Sequence, residues 1–503
     1  MPKTSQAPVK QGAPAIIHMK KGDYLKRHLS SLPAGMIDKR YPGIGATTLE
    51  IEDSSRNSII VFPTRALAAT KAKSKGIHYY GSAYPGVRVS SIEDITEDIE
   101  SGVLTKIAIV ADSLVGVYDR LKDVLFAHDF FIVLGEIDSF QTESSYRPKL
   151  EESIDIYLQF PADRRCLVSA TLEQFSDKRL KSEPISKIVI DDYAPPKVKV
   201  INATKSVIKV AAEQITEVAS RKVKVFVAFN SIEGIRKVIS LLSDDIKSRV
   251  GILCSPDSHN NFNLHQISGI KDGILQHGIT FLTSAYFVGL DVLEPKNSVA
   301  VIIVADTKLP VSLLPDSKIR QIFGRIRFGS ASNTLILNCT DKLYLPLNNY
   351  RQALEQRKKV YEKVLETIHS SFDTLNLREE GNEIKNIMLD TCGIDNVCLL
   401  RRLNDRVVVS ASNFDYLRIR YTALKLLYSE FRNTIKNLKK YFKVRQETIH
   451  TDLSQTERLI FAEVEALLQI EKLSLMRFIL DNYITDPRVA KGKESGILIQ
   501  IWG

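Results

Sequence analysis

The stretch from Pro42 to Leu49, Pro-Gly-Ile-Gly-Ala-Thr-Thr-Leu, has the residue types and spacing of a loop that cradles phosphate. Glycines let a backbone curl until its N–H groups point at phosphate oxygens. A lysine then reaches the outer phosphates, and a Ser or Thr hydroxyl takes Mg²⁺. Gly43, Gly45, Thr47 and Thr48 stand in those places, and Ala46 stands where the lysine belongs. Taken alone, two glycines ahead of a helical pattern more often mark an ordinary turn. A second group, Gly135-Glu136-Ile137-Asp138, closes an apolar run. Acids at a strand end suit polarising a water and holding a metal. Glu136 is placed for the first role. Gly135 occupies the position of a metal-holding aspartate, and Asp138 lies two residues on. The ordinary alternative is a strand end capped by solvated acids. A third group, Gln321-Ile322-Phe323-Gly324-Arg325-Ile326-Arg327, sets two arginines within one turn. Such arginines can stabilise charge on a phosphoryl group from across a cleft. Two solvated surface arginines would read the same way.

These groups need rigid elements to hold them. Apolar, β-rich runs at residues 34–38, 57–62, 106–110, 130–134, 165–168 and 185–190 alternate with helical patterns. Continuous apolar strands separated by helices imply a parallel sheet covered on both faces. Asp192-Tyr193-Ala194-Pro195-Pro196 then breaks the pattern, because two prolines continue neither a helix nor a central strand. The alternation resumes with runs at 224–229, 250–253, 278–283, 299–304 and 334–337. Beyond Tyr344 the pattern is charged and helix-periodic over 351–372, 410–449 and 454–483, and 496–502 reads as a short closing strand. The expected organisation is an N-terminal arm (1–30), two α/β domains with parallel sheets (31–195 and 196–344), and a mainly helical C-terminal domain (345–503).

The 503 residues carry a net charge of +10, with 44% hydrophobic and 25% charged residues. This is globular composition with room for two or three domains, and the basic balance suits an anionic partner. Cys166, Cys254, Cys339, Cys392 and Cys398 are scattered and make no Cys-x-x-Cys pair. They read as reduced thiols of a cytoplasmic protein. No apolar run approaches bilayer length and no signal peptide is evident, so no membrane partner is expected. Residues 418–445 are rich in cations, among them Arg432, Lys436 and Lys440, with Tyr421, Tyr428, Phe431, Tyr441 and Phe442 interleaved. Cations neutralise phosphates and aromatics stack on bases. The competing reading is an amphipathic helix with aromatics inward and lysines in water.

Three further segments recur between these groups: Pro63-Thr64-Arg65-Ala66, Ser169-Ala170-Thr171, and Thr283 to Asp291 with its Gly289-Leu290-Asp291. In this order and spacing the set resembles the superfamily 2 helicases, over roughly residues 34–340. The form Gly-Arg-Ile-Arg is most similar to the helicase part of herpesvirus-type origin-binding proteins. The resemblance implies two tandem RecA-like domains that bind ATP in the cleft between them. Gly43, Gly45, Ala46, Thr47 and Thr48 would then line the nucleotide, with Thr47, Glu136 and Asp138 at Mg²⁺. Glu136 would orient the hydrolytic water. Gln321, Arg325 and Arg327 would close on the γ-phosphate, and Gly289 and Asp291 would sense nucleotide. Ser169 and Thr171 would couple hydrolysis to domain movement, and Thr64 and Arg65 would lie at the nucleic-acid backbone.

Ala46 and Gly135 depart from that pattern, and each departure weakens the hold on phosphate or metal. Lys39 and Arg40 are placed to restore the lost charge, and Asp138 to take the metal. The resulting expectation is an ATP-dependent helicase or translocase. It would act on nucleic acid, DNA rather than RNA, alongside replication proteins. The rival is a non-hydrolysing nucleic-acid clamp on the same scaffold. A nicotinamide-dependent oxidoreductase would need a third glycine that Gly43-Ile44-Gly45 lacks.

Overall fold

The computed structural model describes residues 15–483, apart from 256–257, 259–261, 263–266, 341–346, 375–383, 385–387, 389–392, 395–396 and 405. Cys392 and the closing run 496–502 lie outside the described residues.

The first domain is an eight-stranded, wholly parallel sheet. Its strands are β1 (Ile16–Met19), β2 (Gly35–Asp38), β3 (Ser58–Phe62), β4 (His78–Tyr80), β5 (Lys106–Val110), β6 (Phe131–Gly135), β7 (Arg165–Ser169) and β8 (Ile185–Ile190), in the order β1-β8-β2-β7-β6-β3-β5-β4. The strand β1 comes from the expected N-terminal arm. Every residue of β3, β5 and β6 is buried, because helices cover both faces of the sheet. Local chemistry punctuates those helices. Thr64 caps Arg65–Lys75 by accepting from the Leu67 N–H, and Gly76 ends it in a left-handed conformation. Ser91 and Asp94 form a capping box at Ile92–Glu100.

The second domain is a seven-stranded parallel sheet. It comprises β9 (Lys197–Ala203), β10 (Lys224–Ala228), β11 (Val250–Leu253), β14 (Ile279–Leu282), β15 (Val299–Ala305) and β16 (Ser332–Leu337), with a small hairpin of β12 (Ile270–Lys271) and β13 (Ile274–Leu275) set apart. All seven residues of β15 are buried at its centre. Two parallel-sheet α/β domains and a largely helical C-terminal region agree with the expected fold class.

The C-terminal region comprises helices Leu347–Thr374, Ala411–Leu427, Phe431–Leu438 and Gln455–Tyr483. Two hairpins accompany them, β17 (Gly393–Ile394) with β18 (Val397–Cys398), and β19 (Leu400–Leu403) with β20 (Arg406–Val409). The helical expectation over 410–449 needs correction at its end: β21 (Lys443–Ile449) is the seventh strand of the second sheet, parallel to β9. Five of its seven residues are exposed, which suits an edge position.

This region fastens to both domains. Glu151 of the first domain accepts from Ser410 Oγ at 2.5 Å and from the Ala411 N–H at 2.8 Å, closing the start of helix Ala411–Leu427. Asp415 on that helix accepts from Gln141 Nε2 at 2.9 Å and the Ser176 N–H at 3.0 Å. On the other side Phe442 meets Phe323 of the second domain edge-on, centroids 5.6 Å apart. Among the described residues no helix is long and apolar enough to cross a membrane.

Candidate nucleotide site and the cleft between the domains

The phosphate-type loop leaves β2 and enters helix Ala46–Glu52. Gly43 and Gly45 hold φ of +79° and +82°, which glycine adopts without strain. A methyl group on Gly43 would lie 2.5 Å from Arg327 Nη1, and one on Gly324 would lie 2.2 Å from Pro42 Cγ. The loop therefore packs closely against the Gly-Arg-Ile-Arg turn of the second domain. Behind the loop, the Leu25 N–H donates to Ile44 O at 2.8 Å. Ala46 is 2% exposed and offers no polar atom. Thr47 and Thr48 follow it, half-buried, on the first turn of the helix.

Glu136 follows β6 in the left-handed region, φ +53°, an uncommon conformation for a non-glycine residue and one frequent at functional sites. Its Oε1 accepts from Lys39 Nζ at 3.0 Å, while the buried Oε2 has no partner. Burial opposes its ionisation, but Lys39, Arg325 and Arg327 outweigh that and hold the carboxyl below the usual range. Gly135 lies at the end of β6. A methyl there would sit 3.9 Å from Thr47 Oγ1 and 3.5 Å from Val61 O, so the backbone leaves room for a side chain directed at Thr47.

Asp138 is 3% exposed. Its Oδ1 accepts from Ser169 Oγ at 2.5 Å and its Oδ2 from Gln321 Nε2 at 2.6 Å, with Lys318 Nζ 3.9 Å away. Burial, reinforced by Glu136, pushes this carboxyl above its usual value in spite of Lys318 and the two donors. Gln321 also donates to Thr171 Oγ1 at 2.7 Å. One side chain of the second domain thus joins the acid group and the Ser-Ala-Thr segment of the first. Arg325 is 2% exposed, donates through Nε to Gln321 O at 3.1 Å, and is lowered from its ordinary value first by burial and then by Arg327. Arg327 donates through Nε to Asp291 Oδ1 at 2.9 Å, and Lys71 Nζ of the first domain lies 3.6 Å from the other oxygen of that carboxylate. Gly289, φ +78°, places the Gly-Leu-Asp segment against Leu67.

The residues that carry the second and third sequence groups therefore meet in one cleft, with the loop beside them. Both Asp138 oxygens are taken up by Ser169 and Gln321, and Gly135 has no carboxylate. Among the described residues no three His, Cys, Asp or Glu side chains are grouped to hold a metal. A Mg²⁺ held through substrate phosphates and water takes one or two protein carboxylates, and the Asp138 oxygens are engaged within the protein. The cations and the partnerless Glu136 oxygen do fit a polyphosphate and a water. Lys318 and Lys71 escaped the sequence reading. Lys318 lies one turn ahead of Gln321, a spacing that marks a shared helix face; Lys71 carries no comparable signal.

Thr64 is occupied as a helix cap, and Arg65 is exposed beside it. Arg432 pairs with Glu430, and Lys436 and Lys440 are exposed at four-residue spacing. The interleaved aromatics turn the other way. Phe442 is in the core, Tyr441 lies under Arg320 at 4.3 Å, and Tyr421 stacks on Tyr350 at 5.1 Å. Phe442 is thereby withdrawn from solvent, and Tyr441 and Tyr421 each have a ring contact within the protein.

No family model and no curated protein matches the chain. Solved structures are similar to it at low identity. Mss116p (NTE and C-tail double deletion), bound to ssRNA and AMP-PNP, is 15% identical, with 83% of this chain and 89% of that chain covered and a TM-score of 0.45. S. cerevisiae Dbp5 bound to RNA and ADP BeF3 is 12% identical, covering 86% and 89%, TM-score 0.43. The DUF1998 helicase MrfA bound to DNA and AMPPNP is 13% identical, covering 76% and 58%, TM-score 0.43.

Proposed function

We propose that the chain is an ATP-dependent nucleic-acid helicase or translocase, with DNA as its strand and replication as its setting. The observation that carries this reading is the convergence on Glu136. A loop with two left-handed glycines, an ionised acid with one free oxygen, and two arginines from a second domain share one cleft. Glu136 orients the attacking water. Arg325 and Arg327 stabilise charge on the γ-phosphate when the domains are closed, an effect on the order of 10³–10⁵ in rate where such arginines have been removed. Gln321 links the acid group to Thr171, so the state of the nucleotide is felt as a change in domain docking. The basic C-terminal surface, with Arg432, Lys436 and Lys440, contributes phosphate contacts. The preference for DNA and the replication setting rest on the form of the Gly-Arg-Ile-Arg segment.

The rival reading, a clamp that binds nucleic acid without hydrolysis, is favoured by Ala46 and Gly135. Steady-state ATP hydrolysis with and without single-stranded DNA or RNA separates the two, beside an Arg325→Ala control. Stimulated turnover that the substitution abolishes supports the motor. Absent turnover with tight, salt-sensitive strand binding supports the clamp.

A further inference from the structure

We propose that Lys39, at the end of β2, supplies to the outer phosphates of ATP the positive charge that Ala46 cannot. This rests on the ATP-binding reading above. Lys39 continues β2, its N–H donating to Ser169 O at 2.8 Å. It is only 5% exposed, and its ammonium sits 3.0 Å from Glu136 Oε1. A lysine is almost never buried to this degree unless paired, since desolvating an ammonium is costly. The partner it has found is the acid beside which the γ-phosphate would lie. A buried ion pair is weak evidence of a purely stabilising role, because an apolar pair of similar volume commonly serves as well.

Arg40 and Arg327, which also lie beside the loop, do not fit the role. Arg40, φ +56°, is exposed, with its backbone N–H donating to Asp38 at 3.2 Å and its guanidinium 3.5 Å from the same carboxylate. Arg327 reaches Gly43 from the second domain and is engaged by Asp291. Its charge arrives only when the domains meet. Lys39 belongs to the same domain as the loop, so its charge is present whether the cleft is open or closed. A long flexible stem lets the ammonium leave Glu136 for phosphate oxygens, as a point charge can. Nucleotide binding then depends on Lys39, and turnover additionally on Arg325 and Arg327.

The test is equilibrium binding of a fluorescent ATP analogue to the full chain, read beside thermal unfolding and turnover. Lys39→Ala is expected to weaken binding by at least ~10-fold with a folded chain, and Lys39→Arg to retain most of it. The double variant Lys39→Ala/Ala46→Lys should regain binding, because the charge is returned from the loop. A merely structural Lys39 would not be rescued from position 46. Lys39→Ala that binds like the wild type overturns the inference and leaves the ATP reading standing. So does a double variant no better than Lys39→Ala. A wild-type chain that binds no nucleotide overturns both.

Discussion

Gln321 Nε2, on a helix of the second domain, lies 2.6 Å from Asp138 Oδ2 and 2.7 Å from Thr171 Oγ1 of the first. Two hydrogen bonds from one amide, one of them to a carboxylate, tie the second domain to the acid group and the Ser-Ala-Thr segment of the first. The amide oxygen has no partner, so the contact is one-sided, with Gln321 acting only as donor.

Gln321→Ala should therefore loosen the docking without touching the loop. Losing a neutral bond and a charge-assisted one costs about 2–4 kcal/mol. Nucleic-acid stimulation of turnover is expected to fall by ~10-fold or more. Unchanged stimulation would show that the contact does not couple the domains.

Several buried acids at these contacts titrate high. Burial is the leading cause for Asp138, Glu151 and Asp415, each raised above the ordinary carboxylate value. A group whose folded value is raised gives stability that is complete below its unfolded value and is lost as pH rises through the folded one. The thermal midpoint should therefore decline as pH rises above the ordinary carboxylate range. Asp138→Asn should flatten that slope, since the neutral amide has nothing to lose on the way up. Glu136 runs the opposite way: its lowered value gives stability present above the ordinary carboxylate value and lost as pH falls through the lowered folded one. A slope that Asp138→Asn leaves intact would remove Asp138 from the account.

How much of this was legible before the fold was known follows from what each signal depends on. The buried strands β3, β5, β6 and β15 were readable because a continuous apolar run is itself the requirement for a two-sided parallel sheet. Glu136 and Gln321 were readable by order along the chain. The partnering of Lys39 with Glu136 was not, because it joins residues 97 positions apart across β7 and depends on strand order. β21 reads as helix in the sequence, because an exposed, mostly polar edge strand shows no period-2 pattern and the helical pattern of its neighbours runs on into it. The aromatics of 418–445 were ambiguous for a different reason. Sequence does not say which face of a helix meets a neighbour.

Gly43→Ala is expected to act through Arg327. The new methyl would strain a φ of +79°, at about 1–2 kcal/mol, and would need the space of a guanidinium 2.5 Å away. Turnover should drop about as far as in Arg327→Ala. In a double-mutant cycle the two losses should fall well short of additive, because both remove the same contact. Full additivity would place the defect elsewhere.

Asp415→Ala tests the hold of the C-terminal region. It removes the acceptor of the Ser176 N–H and of the Gln141 amide, leaving Gln141 Nε2 only its bond to Gln174 O at 3.2 Å. A loss of about 2–4 kcal/mol is expected in urea unfolding. Gln141 lies on the same short helix as Asp138, so the loosening should also reach the cleft, lowering stimulated turnover. A stability loss with unimpaired stimulation would confine this contact to architecture.

Gly135→Asp addresses the other departure. The backbone there would accept a side chain at ordinary contact distance, pointed toward Thr47 Oγ1. A carboxylate in that place completes the oxygen set that Asp138 cannot supply while Ser169 and Gln321 occupy it. The apparent Mg²⁺ requirement for ATP binding should then fall by ~10-fold in concentration, as expected when a hard cation gains a charged oxygen ligand. Gly135→Asn provides the control, having the same size without the charge, and should leave the Mg²⁺ dependence where it is. If both variants shift it equally, the effect is steric. If neither does, the phosphates alone hold the cation, and Gly135 reflects a site in which Lys39 and the two arginines already neutralise the nucleotide.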